Sequence, residues 1–387
     1  MADPGILRYK TGDRIVSVAT GVGVCARPGA FAPLKEADRV CVVTDCFCLK
    51  KILPAVIPVL VKAGIKPEIF AVEAGEKSKN YRTVERIHSF MLAKGFSRRS
   101  MLVAVGGGSV SDLTGFAAAT FMRGIPWVCL PTTLLAQVDA GLGGKTGINL
   151  DGVKNVAGVF HQPAAVICDF SFLEKLGGRQ RLSGMGEMIK CALVSGAGYV
   201  FLRKNWRSIL ALKKRCFEKP ALSAIKFKAG TVARDETEKK ELREILNFGH
   251  TAGHAFESLS RGGLSHGEAV IWGMRFACGL SHREGLMDAG ISEDIDRFLS
   301  VLPVARLPEM HFPDFLKLVA RDKKRFNYSN RFVLLKKPGR PVIVTDISPA
   351  DIKETFKWLA EKSRLRRAAA LRAACLRRCS RPVPGTR

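Results

Sequence analysis

The segment Met101-Leu-Val-Ala-Val105 runs without interruption into Gly106-Gly-Gly108. A continuous apolar run of that length suits a strand buried on both faces, which occurs where helices cover a parallel sheet. Glycines at its end, followed by helical periodicity to about Thr120, form the junction at which α/β folds bring backbone close to a phosphate. Neighbouring segments repeat the pattern. Val40–Thr44, Glu68–Val72, Trp127–Leu130 and Ala165–Cys168 read as further strands, with helical stretches at Leu49–Ala63 and Tyr81–Lys94. This alternation predicts a mostly parallel sheet flanked by helices.

The texture changes after about residue 178. Helical periodicity dominates Gly184–Asn205, Pro220–Arg234, Ile245–Ser260, Gly267–Glu284 and Ser292–Leu302. Only Arg331–Leu335 and Pro341–Thr345 read as strands, and Pro338-Gly339 between them suggests a hairpin. The expected fold class is α/β plus α. A nucleotide-type, Rossmann-like parallel-sheet domain (1–178) precedes a mainly helical domain (179–362), and a basic extension with little fixed structure follows (363–387).

Composition removes several classes. Apolar residues are 47% of the 387 and charged residues 25%, which excludes a disordered chain. The longest apolar stretch, Phe116–Leu130, is interrupted by Arg123, so no membrane span is expected, and the N-terminus lacks a secretory pattern. Eleven cysteines form no paired framework, and neither Cys46-x-Cys48 nor Cys375-x-x-x-Cys379 has a partner pair at zinc-ribbon spacing. Reduced thiols and a cytoplasmic setting are expected. The net charge of +27 favours anionic ligands, small or polymeric. Nine Lys/Arg and no acidic residue lie between Lys362 and Arg387, a stretch suited to nonspecific nucleic-acid contact.

Four features carry chemistry. Gly106-Gly-Gly-Ser-Val-Ser-Asp112 fits either a phosphate turn or a plain tight turn, and Asp112 either a ribose partner or a first-turn charge complementing the helix dipole. Leu142-Gly-Gly-Lys-Thr146 lacks the first glycine of a P-loop, because position 139 is Asp. His250 and His254 stand at i and i+4, His266 follows within 17 residues, and Glu187 lies on an otherwise apolar helical stretch. This suits zinc, and equally ordinary helix histidines. Finally, Arg123, Lys145, Lys154 and Lys190 sit among glycines and apolar residues, where cations suit a phosphate or carboxylate ligand.

These motifs together resemble the 3-dehydroquinate synthases, a family of sugar-phosphate cyclases. The resemblance runs through Gly106–Asp112, Ala118–Gly124, Pro131–Asp139, Gly143–Asn149, Lys154-Asn155, Gly186–Lys190, Leu246–His254 and His266–Ala269, and covers roughly residues 40–345. It implies NAD and a divalent metal (zinc, cobalt or another) as cofactors, and usually a homodimer. The implied substrate is a small anionic sugar phosphate, 3-deoxy-D-arabino-heptulosonate 7-phosphate. The implied products are phosphate and 3-dehydroquinate, in the shikimate pathway of aromatic amino-acid biosynthesis, with NAD regenerated in each turnover.

Matched residue by residue, the resemblance implies Glu187, His250 and His266 as metal ligands, with His254 beside the metal. It implies Asp45, Glu76, Lys79, Gly107, Gly108, Asp112, Thr132 and Thr133 as NAD contacts. Arg123, Asp139, Lys145, Asn155, Lys190, Lys228, Arg243, Asn247 and His254 match the substrate pocket. Lys145 and Lys154 stand at the cofactor–substrate boundary, and Asp322-Lys-Lys324 resembles a late lysine contribution. Ser109 and Ser111 depart from the family's phosphate turn, Lys175-Leu-Gly177 replaces Thr-Leu-Pro, and Glu238-Lys-Lys-Glu241 holds one extra residue. Another cyclase, a metal-dependent polyol dehydrogenase and a nucleic-acid-binding protein are the competing readings.

Overall fold

Five parallel strands with near-continuous apolar sequence form the centre of the first unit. They are β3 (Val40–Asp45), β4 (Glu68–Val72), β5 (Met101–Gly106), β6 (Trp127–Pro131) and β9 (Ala165–Asp169). Two hairpins precede or interrupt them: β1 (Gly5–Thr11) with β2 (Arg14–Gly21), and β7 (Lys145–Leu150) with β8 (Val153–Phe160). The large sheet has the order β1-β2-β9-β6-β5-β3-β4, parallel except for β1 against β2. The structure is a computed structural model, and it describes residues 5–27, 29–321 and 330–379.

Helices of this unit are α1 (Cys46–Lys51), α2 (Leu53–Lys62), α3 (Tyr81–Ala93), α4 (Gly108–Thr120), α5 (Gly178–Ser195), α6 (Tyr199–Leu210) and α7 (Lys214–Arg234). The core is the apolar face of the sheet against α2. Val42, Val103, Val105, Val128, Leu130 and Ile167 meet Leu53, Val56 and Leu60, all buried. The order of strand addition reverses between the parallel neighbours β3 and β5: the chain leaves β3 towards β4, and leaves β5 towards β6 on the other side. The ends of β3 and β5 therefore frame the crevice where open parallel sheets accept ligands.

The second unit holds α8 (His250–Leu259), α9 (His266–Arg283), α10 (Ala289–Ser300), α11 (Phe312–Arg321), the hairpin β10 (Arg331–Lys337) and β11 (Arg340–Thr345), and α12 (Pro349–Cys379). Helix α9 is its axis, packed by α8, α10, α12 and β10. Its core is aromatic: Phe315 lies 5.1 Å from Phe256 and 4.9 Å from Phe356, ring centre to ring centre.

Compactness separates Met1–Leu246 from Asn247–Arg387. The change from sheet to helices comes earlier, at α5, and helices α5 to α7 belong with the sheet. Some elements differ from the expectation. The hairpin β1–β2 alternates exposed and buried residues, so it lacks the continuous apolar run that marks the central strands. The helical stretch from Gly184 is two helices, because Gly196 and Gly198 adopt left-handed backbone. Helix α12 extends to Cys379, well into the segment expected to lack fixed structure. Ala, Leu and Arg favour helix strongly, and that propensity outweighs low hydrophobicity here.

Candidate active site

At the end of β5 the chain turns sharply. A Cβ on Gly106 would lie 2.6 Å from Val110, so a side chain is excluded there, and one on Gly107 would press on Thr133 at 3.2 Å where α4 begins. Thr132 donates its backbone N–H to the Gly106 carbonyl (2.9 Å), which joins the ends of β5 and β6. Across the crevice, Asp45 ends β3 and caps α1, accepting from the Cys48 N–H at 2.8 Å. The expected NAD contacts Asp45, Gly107, Gly108, Asp112, Thr132 and Thr133 thus come from three strand ends and the start of α4.

Lys79 joins this group to the expected substrate residues. Its buried ammonium donates to Asp112 Oδ2 (2.7 Å) and to Asn155 Oδ1, and lies 3.8 Å from Glu76. Asn155 holds left-handed backbone (φ 55) and donates its N–H to Asn149 Oδ1 (2.9 Å). Glu76 accepts from Ser109 Oγ (2.6 Å) and Asn149 Nδ2 (3.0 Å). Ser109, a departure from the family pattern, therefore serves the turn by anchoring Glu76. Burial opposes ionisation of Glu76, but Lys79, Ser109, Asn149 and Lys154 outweigh it and hold the carboxyl below its ordinary range. Burial pushes Asp112 up to about 6 against the pull of Lys79.

A second cluster is built on α5, α7 and the turn Ala136–Ala140. Asp139 pairs with Lys228 and lies 3.9 Å from Lys190, which in turn pairs with Glu187 one helical turn away. Lys190, Glu187 and Lys228 are buried, so these charges have little water to screen them. Desolvation disfavours the Asp139 carboxylate, yet the two lysines hold it below the ordinary range. Burial likewise works against the Lys190 ammonium, and Glu187 with Asp139 overcomes it.

A third group surrounds Gly143-Gly144. Both glycines have positive φ, and a Cβ on Gly143 would lie 2.8 Å from Arg243 Nη2. Gly143 admits the buried Arg243 guanidinium, Gly144 admits Gln162, and the pair leads into the β7–β8 hairpin, a setting unlike a P-loop. Glu238 pairs with Lys145 and lies 3.5 Å from Arg243 Nε. Sequence reading singled out the extra residue here but gave Glu238 no role. Arg123 stands apart. It is exposed in the turn Phe121–Arg123 with φ 72, and among the described residues no hydrogen bond or ion pair joins it to these groups. Lys175 is exposed after β9, and Lys323 and Lys324 lie outside the described residues.

In the second unit the three histidines come together. Ring centres lie 5.3 Å apart for His250–His266, 5.2 Å for His250–His254 and 6.0 Å for His254–His266. Glycines allow this. A Cβ on Gly273 would lie 1.9 Å from the Gly249 carbonyl, so α8 and α9 touch backbone to backbone. Ser265 and Glu268 form a capping box that starts α9 at His266. His266 Nδ1 meets Glu257 Oε2 (3.1 Å), and His250 Nδ1 meets the Phe248 carbonyl (3.3 Å). Both contacts suit imidazoles whose Nε2 faces a metal. Glu257 was not legible as a partner, because its distance from His266 depends on how two helices pack. Asn247 is exposed at the start of this unit.

Comparison with known proteins identifies the family. The family model for the 3-dehydroquinate synthase N-terminal region matches residues 69–183, and that for its C-terminal region matches residues 184–325. The 3-dehydroquinate synthase of Acidithiobacillus ferrooxidans is 38% identical over 360 residues, covering 90% of this chain and 97% of its own. A 2-deoxy-scyllo-inosose synthase solved with carbaglucose-6-phosphate, NAD+ and Co2+ superposes with a TM-score of 0.82 at 26% identity, covering 92% of this chain and 99% of its own. The 2-epi-5-epi-valiolone synthase of Streptomyces hygroscopicus, solved with NAD+ and Zn2+, gives 0.80 at 28% identity, covering 91% and 98%. With the motifs, the fold and these matches in agreement, the chain belongs to the 3-dehydroquinate synthase family.

Proposed function

We propose that this chain is a 3-dehydroquinate synthase. It converts 3-deoxy-D-arabino-heptulosonate 7-phosphate to 3-dehydroquinate and phosphate, with NAD and a divalent metal as cofactors. The observation that carries the reading is the histidine cluster, in which His250 and His266 each commit Nδ1 to an oxygen acceptor. Glu187, His250 and His266, the ligands the resemblance implies, supply one carboxylate and two imidazoles, a donor set whose chemistry fits a catalytic zinc or cobalt. When bound, the metal would polarise substrate hydroxyls, and NAD would accept and return one hydride.

The chain's own residues orient and exchange protons. Asp45, Gly107, Gly108, Thr132 and Thr133 would seat the dinucleotide, with Glu76, Lys79, Asp112 and Lys154 fixing its position. Lys145 and Arg243 already flank a carboxylate, that of Glu238, and the substrate brings carboxylate and phosphate to cations of this kind. Asp139, Lys190 and Lys228 form an alternating charge chain that can hold hydroxyls and pass protons. Asn155 and Asn247 would bind hydroxyls, Arg123 an anionic end, and His254 would relay a proton.

No helix among the described residues is long and apolar enough to cross a membrane. The reading places the enzyme in the cytoplasm as a homodimer, for which the exposed Ile6 and Ile15 of the edge hairpin are candidate contacts. It confines any nucleic-acid contact to the basic C-terminal segment.

The test supplies metal-loaded protein with the heptulosonate phosphate and substoichiometric NAD. Phosphate and 3-dehydroquinate should both exceed the NAD supplied, and a chelator should abolish both. Net NADH from a polyol, with neither product formed, would overturn the reading.

A further inference from the structure

A cavity of about 940 Å³ opens in the second unit between α9, α10 and α12. None of the residues expected to bind metal, NAD or substrate lines it. Its wall contains Arg275, which is 2% exposed. The Arg275 guanidinium donates from Nε to Asp296 Oδ1 (2.7 Å) and stacks 4.5 Å from the Trp272 ring, yet its buried Nη1 has no hydrogen-bond partner. A buried guanidinium held by a single carboxylate contact leaves a donor unused, and such donors are normally satisfied. Lys362 lies 3.9 Å from the other Asp296 oxygen and 5.8 Å from the Trp358 ring centre. Arg283 and Arg297 also line the space, so cations outnumber the carboxylates of Asp296 and Glu293. Trp358 adds a flat apolar wall. Its edge meets Gly279, where a Cβ would lie 2.8 Å from the ring.

We propose that this cavity is a second binding site, for a small organic oxyanion that presents a carboxylate or phosphate to Arg275, Arg297 and Lys362 and packs an apolar part on Trp358. A fixed guanidinium with nearby ammonium groups suits planar oxyanions. The site does not rest on the proposed enzymatic activity.

Titration of the full-length protein with benzoate and with phenyl phosphate, followed by tryptophan fluorescence and by calorimetry, tests it. A saturable fluorescence change is expected for at least one probe, and Trp358→Phe should reduce that change, leaving what Trp272 reports through Arg275, while calorimetric binding persists. The double variant Arg297→Glu, Lys362→Glu changes exposed rim residues and leaves the core intact. It should weaken binding by at least about tenfold while 3-dehydroquinate formation without the probe is unchanged. Preference for benzoate identifies a carboxylate site, and preference for phenyl phosphate a phosphate site. Equal affinity in wild type and double variant would overturn the proposal, because the probe would then be bound elsewhere. Absence of a saturable signal with both probes would overturn it too.

Discussion

At the residue scale, the acceptors behind the imidazoles matter as much as the imidazoles. Glu257 meets His266 Nδ1 at 3.1 Å and so fixes the ring's orientation. Replacing Glu257 with Leu should weaken zinc affinity roughly 10- to 100-fold with the fold retained. A competition titration with a chromophoric chelator measures this, and unchanged affinity would remove Glu257 from the metal's support. Asp112 provides a pH signature. Burial raises its carboxyl to about 6, so the group is largely protonated below that pH and ionised above it. Ribose hydroxyls donate to the ionised form. NAD affinity should therefore rise as pH climbs through about 6, and Asp112→Asn should flatten that rise. Binding measured by NAD fluorescence quenching across pH 5 to 8 decides, and an identical profile in the variant would exclude Asp112 as the titrating group.

At the element scale, the α8–α9 contact sets the histidine geometry. Gly273 leaves no space for a methyl group, since its Cβ would sit 1.9 Å from the Gly249 carbonyl. Gly273→Ala must push the helices apart, and metal binding should fall more sharply than helix content. Circular dichroism and metal analysis on one sample separate the two. A variant with full metal content would show that the helices can shift without moving the imidazoles. Phe315 tests the same unit's core. It is fully buried among Phe256, Phe276 and Phe356, so Phe315→Ala should cost about 3–5 kcal/mol in denaturant unfolding. A loss below about 1 kcal/mol would mean that the aromatic cluster collapses around the gap.

At the scale of the whole molecule, the charge is the dominant property. A net +27 creates a positive field that draws an anionic substrate inward. Salt screens that field within about 10 Å at 0.1 M. The second-order rate constant kcat/KM should therefore fall steadily from low to high ionic strength while kcat changes little. Stopped-flow or initial-rate assays in sodium chloride measure this, and a kcat/KM independent of salt would show that local pairs alone govern capture.

The central strands, the glycine turn after β5 and the helical second half were legible because each is encoded in contiguous residues. Apolar runs and glycines act locally, and the motifs that point to the family are short. The β1–β2 and β7–β8 hairpins were not legible, because β1 and β2 alternate towards solvent and β8 is exposed along nearly its whole length, so the apolar signal is diluted. Helix α12 continues past 363, where composition suggests no core while propensity favours helix. Residue types, and the family resemblance that the short motifs carry, named the side chains expected to bind anions, NAD or metal. The tertiary structure alone decided that Glu238 bridges Lys145 and Arg243, that Lys79 ties Asp112 to Asn155, and that Glu257 supports His266. Those pairings join residues on separate elements, and their distances follow from how helices and strands pack, which no local pattern records.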